Sequence, residues 1–227
     1  MGAGACPPFQ RYAIYWTPEP GSDLEGFGRQ WFGQAAESFG LAPDLARRAV
    51  KSPARYGLHA TLKAPFRFRE GVHAGDLQRA LDAFCAARRA PSGGAFVPAI
   101  FQGYLGLVLS GRTADIDWLA GECVTHFDVF RAPLDESDRD RRANAGLSQK
   151  EQEFLETFGY PYVLSTFQFH VSLAGPLAPG ELHEVAAALK PHLAPFLARP
   201  VKIGELSLLG EPDGGGVFEV LSRHRFV

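Results

Sequence analysis

The chain has 227 residues, of which 46% are hydrophobic and 21% are charged, and its formal net charge at pH 7 is −2. This composition is typical of a folded globular protein with a sizeable core. It lacks the excess of basic residues by which proteins bind long nucleic acids or anionic membranes. Cys6, Cys85 and Cys123 form no CxxC pair, which favours reduced thiols and a cytoplasmic location. With neither a secretory signal nor an apolar run of bilayer length, we expect no membrane association.

The first half of the chain alternates between short β-rich runs and amphipathic helices. Apolar periodicity bounded by proline and glycine predicts strands at 11–16, 56–66, 96–102 and 105–109, and helices at about 23–40, 43–50 and 75–89. The second half repeats this order. It predicts helices at about 113–130, 148–158 and 179–193, a strand ending near 173, and final strands at 201–209 and 217–226. The helix at 148–158 opens with a capping pattern, Ser148 followed by Glu151 three residues later.

Helices packed on largely antiparallel strands predict an α+β protein. We expect two largely antiparallel sheets flanked by helices around a central groove, in one bilobal domain over residues 1–227. The lobes would lie at about 9–112 and 113–227, with room for strands to exchange between them. The polar segment 134–151 is interpreted as a solvated hinge; the alternative is a basic flap over the substrate, built on Arg139, Arg141 and Arg142.

An internal repeat marks the candidate site. The stretch YGLHATLKAPF at 56–66 recurs as FQFHVSLAGPL at 167–177, and setting His59 over His170 also sets Thr61 over Ser172. Both copies read His-x-Thr/Ser-Leu-x-x-Pro-apolar and alternate with period two. Each therefore predicts a strand with one buried face and with the imidazole and the hydroxyl on the other face. An imidazole and a hydroxyl placed in this way can together bind one tetrahedral anion.

Two such strands facing one groove supply the groups that phosphodiester hydrolysis requires. Histidine titrates at about pH 6.5, so one ring can act as a general base and the other as a general acid. The hydroxyls can donate hydrogen bonds to the non-bridging oxygens, where negative charge must be stabilised. We predict His59, Thr61, His170 and Ser172 as the catalytic residues, with no metal and no other cofactor.

Two further residues are candidates for substrate binding. Lys63 has the same parity as His59 and is predicted to bind phosphate; the alternative is a solvated strand end. Tyr15 shares its parity with Arg11 on the first strand and is predicted to line the groove; the alternative is packing in the core.

The motifs HATL at 59–62 and HVSL at 170–173 resemble those of the two-histidine phosphoesterase superfamily, which includes cyclic phosphodiesterases and an RNA-ligase-like branch. The wider sequence, with RYAIYW, FDVFRAPL and GYPYVLSTFQFH, is similar to a bacterial branch associated with phosphonate-degradation operons. The resemblance covers nearly the whole chain. It implies a bilobal pseudo-twofold fold, catalytic roles for the four motif residues, and hydrolysis of a small cyclic phosphate of ribose or a nucleoside. Serine replaces threonine in the second motif, which keeps the hydroxyl.

Two alternatives stay open. A metal-dependent hydrolase would use His59 and His170 as ligands, but no HExxH, HxH or acidic cluster lies beside either strand. A non-catalytic or RNA-ligase-like protein would recognise the terminal cyclic phosphate of an RNA, for which a groove suffices even without a basic surface. We expect a small phosphorylated substrate, no long nucleic acid, and a monomer.

Overall fold

The computed structural model describes residues 9–33, 36–136, 138–139, 146–197 and 199–227. The strands are β1 Phe9–Trp16, β2 Ala60–Phe66, β3 Ser92–Phe101, β4 Tyr104–Ser110, β5 His170–Ala174, β6 Pro200–Lys202, β7 Glu205–Pro212 and β8 Glu219–Arg225. The helices are α1 Asp23–Phe32, α2 Pro43–Val50, α3 Ala74–Ala86, α4 Ala114–His126, α5 Gln149–Phe158 and α6 Pro179–Leu193. None of these helices is both long enough and apolar enough to cross a bilayer.

The strands form two four-stranded sheets with the orders β2-β1-β7-β8 and β5-β4-β3-β6. Every pairing is antiparallel, so the protein is of the α+β class predicted from the sequence. Each sheet takes two strands from residues 9–112 and two from residues 113–227. Both halves of the chain therefore build both sheets.

The two histidine strands lie at sheet edges. β2 is the edge strand of the first sheet and β5 that of the second. These two edges contact each other. The two copies of the repeat therefore meet at the junction between the sheets.

One predicted strand is two strands in different sheets. Residues 201–209 were expected to form a single strand, yet β6 pairs with β3 in the second sheet and β7 pairs with β1 in the first. The chain changes sheet at Ile203 and Gly204, where Ile203 N–H donates to the Pro91 carbonyl at 2.9 Å. Alternation in a sequence cannot reveal such a crossing, because both strands show the same period.

One apolar core connects both sheets with the helices. It includes Ile14 of β1, Leu107 of β4 and Leu81 of α3. A smaller cluster on the opposite face of the first sheet contains Ala13, Tyr15, Leu209 and Phe218, with Tyr56 packed against it. Because neighbouring strand residues point to opposite faces, β1 contributes to both clusters.

The helix starts follow local capping chemistry. Ser148 and Glu151 form the capping box that the sequence predicts for α5, with the Ser148 N–H donating to the Glu151 carboxylate at 2.7 Å. Within the polar segment, Arg139 contacts Glu156 at 3.4 Å. Arg141 and Arg142 of the flap alternative lie outside the described residues, as does Cys6.

Candidate active site

The side chains of each motif divide between the core and a common site. His59, Thr61, His170 and Ser172 are half-buried, and we call these four residues the two-histidine site. The residues that alternate with them are buried in the core, as the period of two predicts: Leu58, Ala60 and Leu62 in the first copy, and Phe169, Val171 and Leu173 in the second.

Each imidazole is oriented by a local hydrogen bond of the same type. The Nδ1 atom of His59 lies 2.9 Å from the Gly57 carbonyl oxygen, and that of His170 lies 2.9 Å from the Gln168 carbonyl oxygen. A carbonyl can only accept, so each Nδ1 carries the hydrogen. Each Nε2 atom is left for a ligand, since neither has a hydrogen-bond partner in the described part of the chain.

The environment of His59 favours its neutral form. Burial lowers the pKa of His59 from its usual value of 6.5 to about 4, although the bond to the Gly57 carbonyl opposes this shift. The charge of His170 lowers the pKa further. His170 therefore lies within electrostatic reach of His59.

Aromatic rings enclose His59. Tyr15 pairs with Thr61 in the β1–β2 register, and its ring centroid lies 4.3 Å from that of His59. Burial raises the pKa of the Tyr15 hydroxyl, and the neighbouring Thr61 side chain opposes this shift. Tyr56 covers the ring from another side, at 5.4 Å. Tyr15 is only 1% exposed, so it supports both residues of the first motif from beneath.

A phenylalanine takes the corresponding place beside His170. The Phe101 ring lies edge-on to His170, with 5.5 Å between the centroids. It reaches this position across Gly106 of β4, which pairs with Ser172. A Cβ at Gly106 would lie 3.2 Å from the Phe101 ring and 2.8 Å from the Val171 carbonyl oxygen. Glycine is needed there because the ring and the neighbouring strand approach so closely.

Lys63 lies on the other face of its strand from His59. Tyr15 pairs with Thr61 but Ile14 pairs with Lys63, so β2 has a bulge with one extra residue. The bulge reverses the parity on which the prediction rested. Lys63 is 3% exposed, and its Nζ donates to the Asp128 carboxylate at 3.0 Å and to the Val124 carbonyl at 3.1 Å. Its ammonium group is therefore committed to structural partners.

The structure brings together His59, Thr61 and Tyr15, places His170 and Ser172 at the adjoining edge, and separates Lys63 from them. Sequence reasoning missed Tyr56 and Phe101. Tyr56 could have been found, because it occupies the same position of the repeat as Phe167. Phe101 is placed by strand pairing and leaves no signal in the motifs. Among the residues that the structure describes, no three His, Cys, Asp or Glu side chains are grouped to hold a metal.

Comparisons with known proteins place the chain in a family. The model of a family described as protein of unknown function (DUF1045) matches residues 61–219. Ribose 1,5-bisphosphate phosphokinase PhnN of Janthinobacterium sp. (strain Marseille) is 33% identical over 221 residues, which cover 92% of this chain and 49% of that protein. The chain thus spans about half the length of the curated relatives it matches.

Two solved structures are similar over most of the chain. E. coli LigT complexed with NADP+ has a TM-score of 0.46 and 13% identity, covering 96% of this chain and 98% of that one. TT0787 of Thermus thermophilus has a TM-score of 0.47 and 14% identity, covering 95% and 97%. Because the family model matches well over half of its residues, the chain belongs to the family described as protein of unknown function (DUF1045).

Proposed function

We propose that this protein is a metal-independent two-histidine phosphodiesterase that hydrolyses a small cyclic phosphate of ribose or a nucleoside. The observation that carries the proposal is the matched pair of imidazoles, each held through Nδ1 by a carbonyl two residues earlier. Each has a motif hydroxyl two residues later, on Thr61 or Ser172. A reaction that needs one base, one acid and two donors for charged oxygens fits this set.

In the proposed reaction, His59 is the general base. Its lowered pKa keeps the ring unprotonated at neutral pH, so Nε2 can accept a proton from water while the water oxygen attacks phosphorus. The bond from phosphorus to one ring oxygen breaks, and His170 donates its Nε2 proton to that oxygen. Ring opening yields a phosphomonoester and a free hydroxyl. Proton exchange with solvent then restores both rings.

The hydroxyls and aromatic rings complete the assignment. Thr61 and Ser172 donate to the non-bridging oxygens, which carry more charge in the transition state than in the substrate. Tyr15 acts as a positioning residue, because its ring lies against His59 and it pairs with Thr61 in the β1–β2 register. Tyr56 and Phe101 offer apolar surfaces on either side of the site, suited to the faces of a sugar or a base.

The name of the curated relative bears on the substrate rather than on the reaction. A phosphokinase of ribose bisphosphate acts on a small phosphorylated ribose, which supports a substrate of that kind. The proposed role in phosphonate catabolism rests on the sequence resemblance alone. The kinase activity does not extend to this chain in the proposal. The chain covers half of that protein, and its sequence has no Gly-x4-Gly-Lys-Ser/Thr phosphate loop.

A substrate screen with purified protein tests the proposal. The panel contains nucleoside 2′,3′-cyclic phosphates, ribose 1,2-cyclic phosphate and linear diesters, each with and without excess EDTA. We expect turnover of a cyclic phosphate at a rate that EDTA leaves unchanged. A rate lost with EDTA and restored by zinc or manganese would support the metal-dependent alternative. Tight binding of cyclic phosphate ends of RNA without turnover would support the non-catalytic one.

A further inference from the structure

The two ends of the two-histidine site differ in space and charge. Beside one end lies an open cavity of about 750 Å³, whose lining includes Arg48, Lys51, Arg55 and Tyr56 from the segment before the first motif, and Pro176 and Glu181 from the segment after the second. We call this space the cationic cavity. Its volume lies within the range of roughly 300–1,000 Å³ that is usual for small-ligand sites.

The cationic cavity adjoins the site on both of its strands. Tyr56 lines the cavity and also contacts the His59 ring, with 5.4 Å between the centroids. On the other side, the lining residues 175–178 follow directly from β5, which carries His170 and Ser172. Tyr56 is therefore shared between the cavity and the surroundings of His59.

The cavity has positive charge in excess. Its lining contains three cationic side chains and one carboxylate, Glu181. Arg48 is held by Glu181 at 2.7 Å and by Asp44 at 3.0 Å. Lys51 is exposed and has no ionic partner among the described residues. It provides an uncompensated charge at the mouth of the cavity.

Arg55 adds charge that its partner only partly neutralises. It pairs with the buried Glu211 carboxylate, which also pairs with Arg11, so one negative charge faces two guanidinium groups. The Nε of Arg55 donates to the Gly216 carbonyl at 3.0 Å. The side chain remains 41% exposed, so part of the guanidinium is accessible from the cavity.

At the opposite end of the site the described spaces are small, and each cation that lines them has an ionic partner. The spaces beside the residues after the first motif and before the second measure only about 10 and 20 Å³. The cations that line them face carboxylates: Lys63 and Arg131 contact Asp128, Arg67 contacts Asp135 and Asp138, and Arg11 contacts Glu211. The repeat is thus symmetric in its motifs and asymmetric in what surrounds them.

We propose that the cationic cavity is a subsite for a second phosphate group. This inference rests on the proposed function and adds that the substrate is a small cyclic phosphodiester bearing a phosphomonoester at its other end. A phosphomonoester carries about −1.5 to −2 charge at neutral pH, which complements the excess at Lys51 and Arg55. Lysine supplies a point charge and arginine a planar donor fork, and both bind phosphate oxygens well.

The test compares adenosine 2′,3′-cyclic phosphate with its 5′-phosphorylated form. We expect kcat/KM to favour the phosphorylated substrate by about tenfold or more at low ionic strength, since each hydrogen bond between charged groups is worth about one order of magnitude. This preference should weaken as salt increases. Lys51→Ala should reduce the preference by about tenfold, and Lys51→Glu should reduce it further. The matched control is Lys202→Ala, at an exposed lysine on β6, which should keep the preference.

The outcomes separate this inference from the proposed function. If both substrates are hydrolysed with equal efficiency, or if the Lys51 variants keep the preference, the subsite is wrong and the proposed function stands. If neither substrate is hydrolysed, the proposed function fails for this class, and calorimetric binding of the same pair decides the subsite. Tighter binding of the phosphorylated form that Lys51→Ala abolishes would support the subsite, whereas equal affinities would overturn it.

Discussion

The rings of His59 and His170 are held by the same hydrogen bond, from Nδ1 to the carbonyl oxygen two residues earlier, at 2.9 Å in both cases. The repeat therefore reproduces an orientation as well as a residue type. Because Nδ1 is occupied, Nε2 is the atom available for proton transfer on both rings. The two rings differ in their neighbours, because Tyr15 packs against His59 and Phe101 packs against His170.

The buried environment of His59 should make the protein less stable in mild acid. Its folded-state pKa of about 4 lies below the unfolded value of 6.5, so the unfolded chain binds more protons between these pH values. The free energy of unfolding should therefore fall as the pH falls through this window. Urea denaturation of the wild type and of His59→Gln at pH 7, 6 and 5 measures this decline in the free energy of unfolding. We expect a smaller decline in the variant; parallel curves would contradict the shift.

The motif hydroxyls should affect the transition state more than binding. Thr61→Val and Ser172→Ala should each lower kcat/KM by roughly 10²–10³, mostly through kcat, if each hydroxyl contributes as much as an oxyanion-hole donor. Ser172→Thr should retain activity because it keeps the hydroxyl. Thr125→Val is the matched control, at an exposed threonine on α4. A loss below tenfold for both motif variants would remove these hydroxyls from the mechanism.

Lys63 should matter for stability and much less for turnover. Lys63→Met keeps the apolar stem but removes the charge that contacts Asp128 and the Val124 carbonyl. Asp128 retains Arg131, so we expect a loss of about 2 kcal/mol in the free energy of unfolding. The value of kcat/KM should stay within about threefold, since no contact with the reacting phosphate is lost. Unchanged stability with a hundredfold loss of activity would instead support the phosphate contact predicted from parity.

Features that depend on neighbours in the chain were predictable from the sequence. The helix predicted at 43–50 has those limits in the structure, and the Ser148–Glu151 capping box forms as expected. The buried and half-buried positions of both motifs also follow from the period of two. In each case the sequence pattern, and the structural feature that it predicts, involve residues only two to four positions apart in the chain.

Features that depend on strand pairing were not predictable. The bulge that turns Lys63 to the core appears only in the register with β1, and the sheet change at Ile203 appears only in the pairings of β6 and β7. Phe101 reaches His170 because β3 and β5 flank β4. These are contacts between distant segments, and a single sequence carries no periodic signal for them.

The most direct test of the two-histidine mechanism is kcat/KM for His59→Ala and His170→Ala on a cyclic phosphate that the wild type hydrolyses. A positioned acid or base contributes roughly 10²–10⁴, so we predict a loss of that size in each variant. His183→Ala, at an exposed histidine of α6 whose Nδ1 also contacts a carbonyl, should retain wild-type activity. Circular dichroism should show that all three variants are folded. If both motif variants are folded and keep near-full turnover, the two histidines are structural and the mechanism is wrong.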